Sequence, residues 1–246
     1  MAWPSQIRKS WNLYSYVQNR TMTFVDRNGN WATPVHAQIG TFALQGYLSP
    51  GELKDIINRQ YIMDSDWSPN HSFLHALRNG NARQSSTEAS QLMWNSVASN
   101  MNEASGLLHS GGRFSDLSIV FLGDAIHTVQ DYTSPMHTTA SGELLPWLGL
   151  GAHTLGALGH YMGESTPDHD WSRIGWAIRL TMAAYMQANP QHAAANGLTE
   201  ATFNKQAEQR ISQYVDWFYL GTSTLSPGMI DAARQCALGN PAACDF

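Results

Sequence analysis

Hydrophobic and polar positions change period once along this chain. Within residues 1–30 they alternate, through Trp11-Asn-Leu-Tyr14-Ser-Tyr16-Val-Gln-Asn19 and again from Thr21 to Val25, closing in Asp26-Arg-Asn-Gly29. That is strand-like material ending in a turn. From Trp31 onward the period is helical. Val35, Ile39, Phe42, Ala43 and Leu44 predict a first helix over about 34–46, with Pro34 tolerated in its first turn. Pro50-Gly51 punctuates the chain and 51–60 reads as a short helix, whereas 61–85 is rich in Asp, Ser, Asn and Pro and reads mostly as loop. Ser86 or Thr87 can cap a helix running through Leu92, Met93, Val97 and Met101 to about 108, before Gly111-Gly112 breaks the chain. Ser115 opens a strongly apolar helix with a stripe of Leu117, Val120, Phe121, Ile126 and Val129, which must stop before Pro135. A Gly- and Leu-rich loop covers 138–152. Helices at about 154–163, 171–188 and 199–220 follow, then a looser tail with Pro227 and Pro241. The predicted fold class is all-α, a multi-helix domain with long loops over 31–246, entered through a short β-like leader over 1–30.

Composition narrows the classes. Nine Trp, nine Tyr and eight Phe supply ample core material, and 20 Gly with 10 Pro show no repeat, so disordered, collagen-like and low-complexity descriptions fail. A net charge of −5, from 19 acidic and 14 basic residues, leaves no overall positive field to hold a nucleic-acid backbone, although a local patch remains open. The two cysteines, Cys236 and Cys244, exclude a Cys-rich zinc site and a disulfide framework. They are either a clip on the C-terminal tail or two unpaired thiols. No apolar run is long enough for a membrane span, and residues 1–30 lack the apolar stretch of a signal peptide, so export would need another carrier.

Ten histidines change the picture more. His127-Thr-Val-Gln-Asp131 places an imidazole and a carboxylate one turn apart on one helix face, where both can reach one cation. Pro135 then ends the helix, so His137 comes from a turn and can reach a second ion. His160-Tyr-Met-Gly-Glu164 repeats the spacing. One such pair is usually a surface ion pair; here the first lies on a helix otherwise so apolar that its polar groups need a partner. Imidazole and carboxylate without thiolate suit zinc in an open, catalytic site. His109, His153, His169 and His192 read as surface groups. Trp171, Trp176, Trp217 and Tyr185, at helical spacing, read as core. Trp147, in the Gly/Leu-rich loop, is the better candidate for contacting substrate or a membrane surface.

His127, Asp131, His137, His160 and Glu164, with Pro135 two residues before the third, resemble the zinc-dependent phospholipase C and S1/P1 nuclease superfamily in order and spacing. Trp31-Ala-Thr-Pro-Val-His36 resembles the opening motif of the nuclease branch. So does the separation of His137 from His160, whereas Glu164 resembles the phospholipase branch. The resemblance spans about residues 31–165 and implies an all-α fold with two to three zinc ions. It implies one ion on Asp64, His75, His127 and a bridging Asp131, a second on His137, His160 and Glu164, and a third on Trp31, His36 and Asp131. The loop ligands are a choice between Asp64 and Asp66 and between His71 and His75; Asp64 and His75 are preferred, with Asp66 as a free carboxylate able to assist as base. Asp64, Asp66 and Asp131 are the candidate catalytic carboxylates, and Trp31 would bind through its α-amine and carbonyl only if the chain were cut after Asn30. The implied activity is phosphodiester hydrolysis, of membrane phospholipid as a phospholipase C or of single-stranded nucleic acid as a nuclease. Sparse Lys and Arg favour lipid. A metal-stabilised binding module is the non-enzymatic alternative.

The leader carries a second resemblance. Asn12-Leu-Tyr14-Ser-Tyr16-Val-Gln-Asn19 followed by Phe24-Val-Asp26-Arg-Asn-Gly29 resembles the closing segment of the Rhs/YD-repeat shell, which precedes a variable C-terminal toxin. It implies a toxin domain of a secreted or injected effector, delivered by its parent shell to a target-cell membrane or periplasm and matched by a cognate immunity protein.

Overall fold

Short polar side chains start the helices, and the apolar stripes behind them decide how the helices pack. The computed structural model describes residues 32–66, 68–139, 141–147, 171–219 and 226–244. Over these the chain forms α1 (Ala32–Leu44), α2 (Pro50–Met63), a 3-10 segment (Pro69–His75), β1 (Arg78–Asn79), α3 (Ser86–Gly106), α4 (Asp116–Asp131) and β2 (Pro146–Trp147). Then come α5 (Trp171–Ala188), α6 (Pro190–Ala195), α7 (Phe203–Tyr219), α8 (Pro227–Ala237) and a closing 3-10 turn at Pro241–Ala243. The all-α expectation holds. The leader 1–30, Trp31 and the helix expected at about 154–163 lie outside the described residues, as do His153, His160, Glu164 and His169.

The caps are legible chemistry. Ser49 and Ser85 each accept a bond from the backbone N–H three residues on, while Glu52 and Glu88 reach back to the serine N–H. The cap of α3 is therefore Ser85, one residue before the expected Ser86 or Thr87. Ser115 and Ser226 cap α4 and α8 in the simpler way, accepting from Ser118 and Met229 N–H.

Helix α4 is the hub, packed against α1, α2, α3 and α5. Its inward face is Ile119, Leu122, Ala125, Ile126 and Val129. Leu117, expected in that stripe, is 60% exposed. It lies on the outer face of the first turn, whose inner face carries the buried Ser118 and Ile119. Two glycines set the closest approaches. A Cβ on Gly123 would come within 2.9 Å of Arg59 Cβ and Cγ, so α2 lies directly against α4 there. Beside it, Arg59 forks onto Asp124, with Nη2–Oδ2 at 3.0 Å and Nε on Oδ1. A Cβ on Gly175 would sit 1.9 Å from the Ala237 carbonyl oxygen, which places the end of α8 against α5.

Helix α5 is buried nearly all round, from Trp171 through Ile178 and Met182 to Tyr185. Trp171 and Tyr185 are thus core, as expected, but Trp217 is 44% exposed. The expected loose tail instead contains α8, whose Ala233, Cys236 and Ala237 pack inward. Cys236 and Cys244 are joined as a disulfide that pins the last turn to it.

The two short strands bear on the site. Arg78 N–H donates to Leu145 O at 2.9 Å and Gly80 N–H to Trp147 O at 2.8 Å, pairing the strands in parallel. Leu145 N–H also donates to His137 O at 2.8 Å. The loop after His75 and the loop after His137 are thereby tied together. Trp147 is buried by this pairing, 6% exposed, so the expected contact of its ring with a membrane surface does not occur in this arrangement.

Candidate metal centre

Five segments converge at the C-terminal end of α4. His127 and Asp131 lie one turn apart on its inner face. His36 comes from α1, Asp64 from the C-cap of α2, His75 from the last position of the 3-10 segment and His137 from the turn beyond Tyr132. Local chemistry places each. Ala76 takes a left-handed conformation at φ 49° and stops the 3-10 segment at His75. Thr128 Oγ1 donates to Leu74 O at 2.7 Å and pins that segment to α4. After α4, His137 N–H donates to Ser134 O at 3.1 Å, closing the turn. The buried guanidinium of Arg173 braces it, donating to Thr133 O and Thr138 Oγ1, each at 3.0 Å.

The Asp131 carboxylate, 1% exposed, is the common point. His36 Nε2 stands 2.9 Å from its Oδ1, while His127 Nε2 is 3.0 Å, His75 Nδ1 3.2 Å and His137 Nδ1 3.8 Å from its Oδ2. His127 Nε2 is also 3.1 Å from His75 Nδ1 and 3.6 Å from Asp64 Oδ1. His137 Nδ1–H donates to the His75 carbonyl.

Burial and charge act against each other in the cluster. Burial alone would lower the His36 pKa; the charge and hydrogen bond of Asp131 override it and, with Asp64 and Gln130, push it up to about 9. Burial works to raise Asp131, but the charges of His127, His137 and His36 hold it well below the usual carboxylate range. For His127 burial wins, and its imidazole is pushed down.

The donor set fits a cation. His127 Nε2, His75 Nδ1 and Asp131 Oδ2 form a triangle with three short edges. Each of the two nitrogens carries at most one hydrogen, so at most two edges can be hydrogen bonds. One cation among the three atoms satisfies all of them together. Ligands about 2.0–2.1 Å from zinc lie about 3.3–3.4 Å apart at tetrahedral corners; the three edges here are 3.0, 3.1 and 3.2 Å, and Asp64 Oδ1 lies 3.6 Å from His127 Nε2. Asp64, His75 and His127 form one potential metal group, and His36, His127 and Asp131 a second, so Asp131 faces both through its two oxygens. The remaining ring nitrogens of this pair, His127 Nδ1 and His75 Nε2, are buried without a hydrogen-bond partner among the described residues, and we have no physical account of that.

The structure therefore brings together His36, Asp64, His75, His127, Asp131 and His137. It does not bring in Asp66. That carboxylate is held by His71 Nδ1 at 2.6 Å and Ser68 N–H at 3.1 Å, on the exposed side of the loop. Its slight burial would raise its pKa, but the His71 hydrogen bond holds it below the usual value. As a base facing the cluster Asp66 is corrected; it is the partner of His71. His192, read as a surface group, bonds the buried Tyr185 hydroxyl through Nδ1 at 2.8 Å.

Sequence reasoning does not single out Gln60, Gln130, Thr181 or Arg173, because amides, hydroxyls and a lone Arg carry no ligand spacing. The one signal is position: Gln130 falls four residues after Ile126, within a face that must be buried. Comparison with protein-family models, curated proteins and solved structures finds no match.

Proposed function

We propose that this chain is a zinc-dependent phosphodiester hydrolase, a phospholipase C acting on membrane glycerophospholipids and delivered as a toxin. The observation that carries the reading is the shared Asp131 carboxylate with four imidazole nitrogens within 3.8 Å and Asp64 beside them. Two zinc ions fit the described residues, with His137, His160 and Glu164 as the ligands of another and Trp31 completing the His36 group only in a chain cut after Asn30. Zinc in such a cluster supplies positive charge to a phosphate and lowers the pKa of water to about 7.

The chain's own residues then have distinct tasks. Asp131 fixes the spacing of the two groups, because its oxygens point one to each. His75 and His127 are held by the Thr128–Leu74 bond in a rigid frame, so a phosphodiester is met by preset charge rather than by moving side chains. None of the six clustered side chains is Lys or Arg, so neutralising the phosphate falls to the metal ions. The acidic net charge of −5 favours a lipid surface over a polyanionic nucleic acid. Delivery by an Rhs-like shell, action at the target membrane or periplasm and a cognate immunity protein follow from the leader's resemblance. The nuclease reading draws on two features of the sequence, the Trp31-Ala-Thr-Pro-Val-His36 opening and the His137 to His160 separation.

The test is metal content followed by substrate. The reading expects at least two zinc per chain and chelator-sensitive hydrolysis of phosphatidylcholine or phosphatidylethanolamine vesicles. Degradation of single-stranded DNA alone would replace the lipid reading by the nuclease. A zinc-loaded chain that hydrolyses neither would be a binding module.

A further inference from the structure

We propose that Gln130 is a positioning residue that fixes His36 in its Nδ1–H form and so makes Nε2 the nitrogen presented beside Asp131. The inference rests on the metal reading above. It starts from a histidine's two options: whichever nitrogen carries the hydrogen in the neutral ring cannot be the ligand. His36 Nδ1 lies 2.6 Å from Gln130 Oε1, and Nε2 lies 2.9 Å from Asp131 Oδ1. An amide oxygen can only accept, so it selects a hydrogen on Nδ1 and leaves Nε2 to face the carboxylate and a cation.

The amide cannot choose freely which end it offers. Gln130 Nε2 donates to Thr181 Oγ1 on α5 at 2.9 Å, and Gln130 Oε1 also accepts from Gln60 Nε2 on α2 at 3.3 Å. Turning the amide over would set its NH2 against the His36 Nδ1–H, and against the Gln60 NH2 unless Gln60 turned with it. Thr181, Gln130 and Gln60 are all buried to 1% exposure or less, so water does not stand in for these bonds. Packing alone does not account for the group. Gln60 Oε1 has no hydrogen-bond partner among the described residues, a cost that two methionines of similar length would avoid. Side chains of α1, α2, α4 and α5 meet here on one nitrogen, and the consequence is that His36 points the same way whether or not an ion is present.

The experiment compares the full chain with its Gln130→Met, Gln130→Glu and Thr181→Val variants. It measures zinc per chain, zinc affinity by competition with a chromophoric chelator, and the His36 ring-nitrogen pattern by 15N NMR. Gln130→Met keeps the length and removes the acceptor. It should keep the zinc held by Asp64, His75 and His127 but bind the His36-associated zinc about 10–100-fold more weakly, with the Nδ1–H signature of His36 lost. Gln130→Glu, which still accepts from His36, should restore both. A Gln130→Met chain with wild-type affinity and an unchanged His36 pattern would overturn the proposal. If Gln130→Met does not fold, Thr181→Val decides: wild-type zinc affinity there overturns the proposal, and selective weakening of the His36-associated ion supports it. Absence of zinc from the wild-type chain is a separate result, since it would remove the metal reading itself.

Discussion

Asp131→Asn in the zinc-free protein isolates the electrostatics of the cluster. The change keeps the shape of the side chain and removes its charge. In the wild type that charge, 2.9 Å from His36 Nε2, is what lifts the His36 pKa from 6.5 to about 9 against the effect of burial. A group raised on folding adds stability that is fully present below its unfolded pKa and is lost as pH rises through the folded one. At 1.36 kcal/mol per pKa unit, a rise from 6.5 to about 9 means that the zinc-free wild type should lose on the order of 3 kcal/mol over that pH range from this group. In Asp131→Asn the two largest effects that raise His36 are gone and only the Asp64 charge and the Gln130 hydrogen bond still oppose burial, so most of that loss should disappear. Urea unfolding of both chains in a chelator, at several pH values from 6 to 9.5, measures the difference; groups common to both cancel. On the acid side the order reverses. Asp131, held low, contributes stability that is present above the ordinary carboxylate pKa and lost as pH falls through its folded value. Equal slopes between pH 6.5 and 9 in the two chains would refute the claim that Asp131 governs His36.

Further outcomes follow from other contacts. His127→Ala should abolish hydrolysis and lower zinc content, because His127 belongs to both potential metal groups; activity retained at wild-type zinc content would show the cluster is not the active site. His160→Ala or Glu164→Gln should deplete one zinc and leave the ion on Asp64, His75 and His127; unchanged metal analysis with intact activity would limit the site to the described cluster. Gly175→Ala should destabilise the fold by about 1–3 kcal/mol, because the added methyl would lie 1.9 Å from the Ala237 carbonyl and force α8 off α5; a melting temperature within a degree of wild type would contradict that packing. Reducing the Cys236–Cys244 disulfide should cost about 2–3 kcal/mol by freeing its short loop, with zinc content unchanged.

What the sequence reveals is what is local. The i, i+4 relation of His127 and Asp131 is written in the helical period and survives in the structure as a 3.0 Å approach. The bounds of α5 were legible because a long apolar period is hard to mistake, and its observed span is Trp171–Ala188. The choice between Asp64 and Asp66 was not legible from spacing, since both precede the 3-10 segment in the same polar loop. It is decided by geometry: Asp64 caps α2 and faces α4, whereas Asp66, two residues further and beyond the helix, meets His71. Trp147 misled for a related reason. An aromatic residue in a Gly-rich loop looks exposed until another loop pairs with it, and the partner, β1, is only two residues long. Gln130 had no local signature at all, because its partners come from α1, α2 and α5.

That dispersal also links the site to stability. No single described segment supplies all the donors of either potential metal group. The donors run from His36 to His137 and meet only when α1, α2, the 3-10 segment and α4 are docked. An unfolded chain retains at most the His127–Asp131 pair, so its affinity for zinc should be far below that of the folded state. Zinc at a hundred to a thousand times its dissociation constant should then stabilise the fold by about 3–4 kcal/mol per ion. The inner face of α4 makes this large in proportion, because His127, Gln130 and Asp131 occupy positions that apolar side chains would fill in an ordinary bundle. In the zinc-free chain the Asp131 charge must be met by protons on its histidines. With zinc bound, that charge is met by the ion, and the bound His36 gives up a proton held up to about pH 9. Zinc uptake near neutral pH should therefore release protons and tighten as pH rises toward 9. Calorimetric titration in two buffers of different ionisation heat reads that release directly, and identical heats in both would show that His36 carries no proton for the ion to displace.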